Sequence, residues 1–563
     1  MAFQVSPGVQ FKEIDSTNVV PAVSSSNGGF VGSFNWGPVN EIRTVSSEDE
    51  MASIFGTPDH LTAKYFLTAA SFLKYGSSLK VTRVGTGLLN SASEFEADGT
   101  TTSTNILIGN ETDYQGATLS GVWQGRYPGA LGNSLKVEVC TAGGGFSSWA
   151  HKGNFEGAPG TSPYAGEIQS ASGDELHIVV IDEDGLFTGT KGEVLETFGF
   201  LSQALDAKDI NGSALYYKEV INNKSNYIWW GQHDVVLSEA GSTVTTAGSA
   251  FANSTTVLAY SLEGGSDATS VPAADIVSGL DLYTDGDTVD VSLLFAYPDA
   301  NGADDIGDKL ISVCESRKDC MAFISPPIED SVNSSAPTTA VLAYKASLTA
   351  SSYASLDSGA VYVYDKFNDV YRWIGSAGLC AGLCANTDQV ADAWFSPAGV
   401  NRGQLLGVAK LAYNPTSAQR DELYVGKVNP LVSFPGQGTM LFGDKTLAGR
   451  ASAFDRINVR RLFIVLEKAI STAAKAQLFE INDEFTRAQF RNLVEPFLRD
   501  VKGRRGCEDF KVICDVTNNT SAVVDGNNFV ADIYIKPSRS INFITLNFVA
   551  TRSGVAFSEI AGN

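Results

Sequence analysis

Both ends of the chain alternate apolar and polar residues with a period of two, the spacing of a β-strand. Near the start, Phe3-Gln4-Val5 breaks at Ser6-Pro7-Gly8 and resumes as Val9-Gln10-Phe11-Lys12-Glu13-Ile14. Near the end, Ile544, Leu546 and Phe548 point one way while Thr545, Asn547 and Val549 point the other. A strand at a chain end needs an edge to pair with, because unpaired backbone groups on an apolar strand are costly. Val5, Val9, Phe11, Ile544, Leu546 and Phe548 therefore mark two candidate strand arms. The arms pair either within their own chain or, by strand addition, with neighbouring copies.

The pattern between the ends predicts an α+β, multidomain chain. Gly29-Phe30-Val31-Gly32 reads as a strand with a close backbone approach, and Trp36-Gly37-Pro38 as a turn. Residues 61–75 have helical spacing, and 79–84 form a short strand. From 91 to 285 the chain changes character. Gly/Ser/Thr-rich stretches separate short strands such as 135–139 and 176–182, which suggests an inserted, surface-facing β-rich region. Helical periodicity is expected only briefly there, at 193–205. Residues 286–410 read as α/β: strand 290–296, helix 304–317, strand 319–324, with the two strands parallel. Segment 21–90 belongs with this region, so that 91–285 interrupts one domain.

The long helices lie beyond residue 411, at 455–480 and 484–502. The second carries an apolar stripe of Phe490, Leu493, Val494, Phe497, Leu498 and Val501. Its opposite stripe is Arg487, Arg491, Glu495, Arg499 and Lys502, extended by Arg504 and Arg505. Pro496 is expected to break or kink this helix near Glu495. Strands at 510–514 and 529–536 follow.

Charge sharpens this division. The net charge is −23, yet residues 440–563 hold 17 Lys+Arg against 14 Asp+Glu, while residues 1–439 hold 23 against 49. An acidic body with an Arg-rich C-terminal quarter suggests that this quarter faces an acidic partner, protein or nucleic acid. The plainer alternative is that these arginines pair with adjacent acids. With a chain pI of about 4.6 and the helix aromatics on its apolar stripe, an acidic protein surface fits better than direct nucleic-acid binding.

Catalytic chemistry finds little support. The histidines at 60, 151, 177 and 233 are scattered, and neither HExxH nor Gly-x-Ser-x-Gly occurs. The run Phe434-Pro435-Gly436-Gln437-Gly438 superficially resembles a phosphate loop, lacks the terminal Gly-Lys-Ser/Thr and reads as a turn. Seven cysteines at irregular spacing point to reduced, buried thiols rather than zinc. No catalytic, cofactor or metal residue is expected. Met1-Ala2-Phe3-Gln4 lacks the features of a signal peptide. The densest apolar run, 462–466, falls far short of the roughly 20 residues of a membrane span.

Seven segments in order resemble the tail sheath proteins of contractile-tailed bacteriophages. They are Ser6-Pro7-Gly8-Val9 with Glu13-Ile14-Asp15; Val31-Gly32 with Trp36-Gly37-Pro38; and Arg126-Tyr127-Pro128-Gly129-Ala130-Leu131-Gly132-Asn133. Next come Ser316-Arg317-Lys318-Asp319-Cys320 with Ser325-Pro326-Pro327, and Trp394-Phe395-Ser396-Pro397-Ala398-Gly399-Val400-Asn401-Arg402-Gly403. The last two are Phe434-Pro435-Gly436-Gln437-Gly438 and Asp532-Ile533-Tyr534-Ile535-Lys536-Pro537. The resemblance implies a structural, non-enzymatic subunit without cofactors, built into stacked hexameric rings around a tail tube. It implies an inner domain from residues 1–20 and 411–563, completed by strands from neighbouring subunits. It also implies a middle domain from 21–90 plus 286–410 and outward-facing β-rich domain(s) from 91–285. Its expected partners are other sheath subunits, the tail tube protein, the baseplate and the tail terminator, with no direct nucleic acid and no membrane insertion. The expected location is the virion tail, after assembly in the host cytoplasm. The family sets a C-terminal helix against the tube; the basic stripe then makes Arg487, Arg491, Arg499, Lys502, Arg504 and Arg505 the tube-facing candidates. A sheath from a secretion system or phage-tail-like bacteriocin, a tail fibre or adhesin, and an enzyme with a site in the α/β region are the competing expectations.

Overall fold

A computed structural model of the chain describes residues 24–93, 105–119, 121–169, 171–234, 236–237, 250–299 and 302–542. They fall into two compact units. The larger holds 24–393 and Pro397–Lys468; the smaller holds Trp394–Ser396 and 469–542. The arm residues Val5, Val9, Phe11, Ile544, Leu546 and Phe548 lie outside the described residues.

The larger unit is organised by a seven-stranded sheet in the order Val428–Asn429, Ala354–Asp357, Met321–Ile324, Leu293–Ala296, Gly28–Gly32, Leu79–Arg83, Ile42–Val45. All neighbours are parallel except the last pair. Its central strands are buried along their whole length, as sheets covered on both faces require. Strand Leu293–Ala296, helix Ala303–Arg317 and strand Met321–Ile324 form the expected parallel unit. Gly28 and Gly29 explain the close approach read from sequence. A Cβ on Gly28 would lie 2.8 Å from the Phe72 ring, and one on Gly29 2.8 Å from Leu294.

Helix Ala377–Val390 packs on helix Ala63–Leu73 over one face of this sheet. Its Ala/Gly/Leu/Cys composition now has a reason. Gly378 faces the carbonyl oxygen of Thr68, and Gly382 faces the ring of Tyr75. Small residues let the two backbones nearly touch, and Cys380 and Cys384 fill the remaining space as buried apolar groups. All seven cysteines are buried.

The segment between Leu79–Arg83 and Leu293–Ala296 carries its own seven-stranded antiparallel sheet. Its entering and leaving chains pair at Thr86–Ser270 and Leu89–Ser266, so the insertion leaves and returns as a two-chain stalk. Helix Ala273–Asp281 then packs on Gly28–Gly32 and on Ala303–Arg317, which returns the chain to the α/β layers. The expected helix at 193–205 is instead the strand Glu193–Ser202, antiparallel to Glu175–Asp182. Gly199 and a run rich in β-branched and aromatic residues oppose helix, and an open edge beside 175–182 rewards strand. The phosphate-loop look-alike is a hairpin between Leu431–Phe434 and Gly438–Leu441, with Gly436 and Gly438 at φ +78° and +82°.

In the smaller unit, helix Glu484–Gly503 runs through Pro496; of the expected break or kink, the break does not occur. The carbonyl deprived of its partner by Pro496 belongs to Asn492. Both residues are exposed, so water replaces the lost bond.

The helix contact yields a direct prediction. In Gly378→Ala the new Cβ would sit 2.3 Å from the Thr68 carbonyl oxygen, so stability should fall by about 1–3 kcal/mol. Gly153→Ala, in open space, should be near neutral. Denaturant unfolding compares them, and equal midpoints would contradict the close-packing account.

Candidate assembly surface

The smaller unit is built on one amphipathic helix and one narrow sheet. Helix Glu484–Gly503 is capped by Asp483, whose carboxylate accepts the Thr486 N–H at 2.8 Å. Phe490, Leu493, Val494, Leu498 and Val501 form its buried stripe, as the periodicity predicts. The helix packs on strand Cys507–Ile513, which pairs antiparallel with Asp532–Pro537. Trp394 secures the connection. Its indole N–H donates to the Arg504 carbonyl at 3.0 Å, and its ring lies over Gly506, where a Cβ would approach within 3.2 Å.

This sheet is the unusual feature. Phe510 faces Ile535 and Val512 faces Ile533 across it, giving one apolar face, yet all four side chains are only half-buried. Among the described residues the sheet stops at two strands, so each has an outer edge without a ladder partner. Leu478, Phe479, Ile481 and Phe485, at the entry to the helix, are also exposed. Sequence reasoning missed that group, although four large apolar residues within eight positions around the Asp483 cap were visible.

The structure separates the six predicted basic residues. Arg487 does not join the surface stripe. It is buried, and its guanidinium donates to the Asn482 side-chain oxygen at 2.8 Å and backbone carbonyl at 3.3 Å. Thr486, its neighbour in the first turn, is buried as well. Arg491 is half-exposed, with Glu495 at 3.9 Å. Arg499, Lys502, Arg504 and Arg505 are exposed around the helix C-terminus, where positive charge is favoured by the helix dipole. Lys502 pairs with Asp509 at 2.8 Å and Arg504 with Asp500 at 3.7 Å. Exposed pairs of this kind are worth about 0–1 kcal/mol and leave the cations available to a partner.

The carboxyl ends of the parallel strands in the larger unit are where α/β proteins commonly bind ligands. Asp357 sits there, fully buried. Its carboxylate accepts the Ser325 hydroxyl and, at 3.0 Å, the Gly359 N–H. Ser325 in turn accepts the Ala377 N–H at 2.8 Å. This cluster ties three segments together and spends its polar atoms on the fold. His177 is likewise a packing residue, stacked 4.2 Å from Phe155 and accepting the Phe200 N–H at 2.9 Å.

Comparison with known proteins decides the family. Three family models match: the tail sheath protein Gp18 domain III N-terminal region over 29–84, the phage tail sheath protein central domain over 293–447, and the phage tail sheath C-terminal domain over 450–551. The tail sheath protein of Vibrio phage KVP40 is 33% identical across 99% of this chain and 100% of the relative. This chain belongs to the phage tail sheath family. The tail sheath protein of Enterobacteria phage T4 is 32% identical over 99% of both chains. The fold is shared more widely. A sheath tail protein from Listeria innocua superposes with a TM-score of 0.55 at 12% identity, covering 92% of this chain and 93% of that one. The contracted sheath of an extracellular contractile injection system gives 0.51 at 13% identity, covering 98% and 99%. The relatives belong to a structural class, in keeping with an Asp357 cluster that serves packing.

Asp357 offers a test of that packing role. Burial pushes its carboxyl up to about 6, against hydrogen bonds from Ser325, Ser376 and Gly359. The folded state therefore holds the proton more tightly than the unfolded chain. Its contribution is fully present below about pH 4 and falls by roughly 3 kcal/mol as pH rises through 6. Asp357→Asn should remove that slope in unfolding measured from pH 4 to 7. An unchanged slope would place the titration elsewhere.

Proposed function

We propose that this sheath subunit polymerises as stacked hexameric rings around a tail tube and contracts to drive the tube through the host envelope. The observation that carries the reading is the two-stranded sheet of the smaller unit, with open edges and a half-covered apolar face. The alternating segments around Val5, Val9 and Phe11, and around Ile544, Leu546 and Phe548, suit those edges. Arms from neighbouring copies would add strands there and bind the polymer into a mesh that survives contraction. We assign 1–20 and 411–563 to the inner domain and 21–90 plus 286–410 to the middle domain, whose sheet takes its edge strand Val428–Asn429 from beyond that boundary, and 91–285 faces outward. Contraction is rigid-body rotation and sliding of subunits with the arms as hinges, driven by greater burial between subunits and requiring no nucleotide.

Arg491, Arg499, Lys502, Arg504 and Arg505 face the tube, which presents acidic groups to them. Weak, repeated charge pairs suit a contact that must hold position before contraction and release during it. The baseplate and tail terminator are partners at the two ends, and the assembled sheath is a virion component put together in the host cytoplasm. A second reading, the sheath of a related injection machine, draws on the fold likeness to the contracted injection-system sheath. Relatives at 31–33% identity over 99% of this chain all come from phages, which favours the phage tail.

Two experiments test these roles. Deleting residues 1–14 should leave a folded, soluble chain that no longer polymerises; normal polymers would refute strand exchange. Reversing Arg499, Arg504 and Arg505 to Glu should preserve self-assembly but weaken co-sedimentation with tube by about tenfold or more, since 1.4 kcal/mol is tenfold. Unaltered tube binding at moderate salt would contradict the tube-facing assignment.

A further inference from the structure

Residues 24–27, where the described chain begins, are tied down by charged side chains from two helices of the larger unit and from the loop before strand Leu293–Ala296. Arg461, on helix Ile457–Ala474, is buried. It donates to the Asp388 carboxylate at 2.7 Å, to the Ser25 carbonyl at 3.2 Å and to the Cys384 carbonyl at 3.2 Å. The Ser25 hydroxyl donates to the same Asp388 oxygen at 2.6 Å. Lys468, seven residues and about two turns further along the helix, donates to the Ser24 carbonyl at 3.2 Å. The Ser292 hydroxyl donates to that same carbonyl at 3.0 Å. Lys468 also pairs with Asp290, which accepts the Asn27 side-chain amide at 2.9 Å. The Asn27 carbonyl receives the N–H groups of Ser292 and Leu293.

We infer that Arg461, held by Asp388, is the positioning residue that fixes where the N-terminal arm leaves the body. The inference rests on the strand-exchange reading above. Burial works against the Arg461 charge and Asp388 more than offsets it. Apolar residues of similar volume often serve stability as well as a buried ion pair does. What this pair adds is direction: the guanidinium's hydrogen bonds reach a backbone carbonyl at the root of the arm. Immediately after that root comes Gly28–Gly32, a central strand of the large sheet. Tension from a neighbour is thus borne at Ser24 and Ser25 by the helix and by the start of strand Leu293–Ala296. It does not reach Gly28–Gly32, which would otherwise peel. A fixed root also limits reach: Phe11 lies within about 45 Å of Ser24 even when the chain is fully extended.

The test uses the full-length chain carrying Arg461→Met with Asp388→Leu, which replaces the ion pair by apolar groups and cuts the Ser25 ties. Hydrogen exchange in peptides covering 24–32 should accelerate tenfold or more, with strand Met321–Ile324 unchanged, and polymers should be shorter or absent. Unchanged exchange at 24–32, or loosened exchange with polymers of parental length, overturns the inference. Should the double variant not fold, Lys468→Met, which removes one of the two donors on the Ser24 carbonyl, leaves Ser292 in place and keeps the buried pair, carries the same readouts. The chain lacking residues 1–14 separates the two levels. If it polymerises normally, the strand-exchange reading itself fails. If it does not, while the clamp variants polymerise like the parent, the inference alone fails.

Discussion

A β-strand presents backbone N–H and C=O groups on both sides, and each buried group must find a partner. In the smaller unit this constraint is met on one side only. Cys507–Ile513 and Asp532–Pro537 satisfy each other, and among the described residues their outer edges remain open. An isolated two-stranded ribbon is marginal in water, and here the helix packed on strand Cys507–Ile513 supplies its support. The half-buried Phe510, Val512, Ile533 and Ile535 show the same incompleteness in the side chains. A fold left open in this way suits a subunit whose stability comes partly from its neighbours. The proposed sheath assembly follows from that one deficit.

The larger unit has the opposite economy. Its parallel sheet is covered on both faces, its helices approach through glycine, and its buried carboxylates are hydrogen-bonded into the fold. Such a body moves as a rigid piece, since close-packed interiors do not deform continuously. In the proposed contraction, change of shape would therefore fall to the joints between subunits. The charged clamp around Ser24 and Ser25 belongs to this division of labour. It is the place where rigid body would give way to arm.

Much of this was legible in the residues. The parallel unit from 293 to 324 and the amphipathic helix with its stripe from Phe490 to Val501 followed from periodicity, and the β-rich region between the two halves of the large sheet from its Gly/Ser/Thr-rich composition. The errors share a cause: tertiary context reversed a local preference. Residues 193–202 took a strand because a sheet edge was available. Pro496 stayed helical because its orphaned carbonyl faces solvent. Arg487 had the spacing of its basic neighbours, yet it is buried and donates to Asn482. The Arg461–Asp388 pair was invisible for a different reason. Its partners lie 73 positions apart, and nothing local in the adjacent pair Arg460 and Arg461 marks which one meets a buried carboxylate.

The most direct test of the central claim is cryo-electron microscopy of polymers of the full-length chain, at a resolution that traces the backbone around residues 507–537. Strands from two other copies, drawn from the N-terminal and C-terminal alternating segments, should extend the sheet on its two open edges. Edges left bare, or filled by both ends of the same copy, would contradict it.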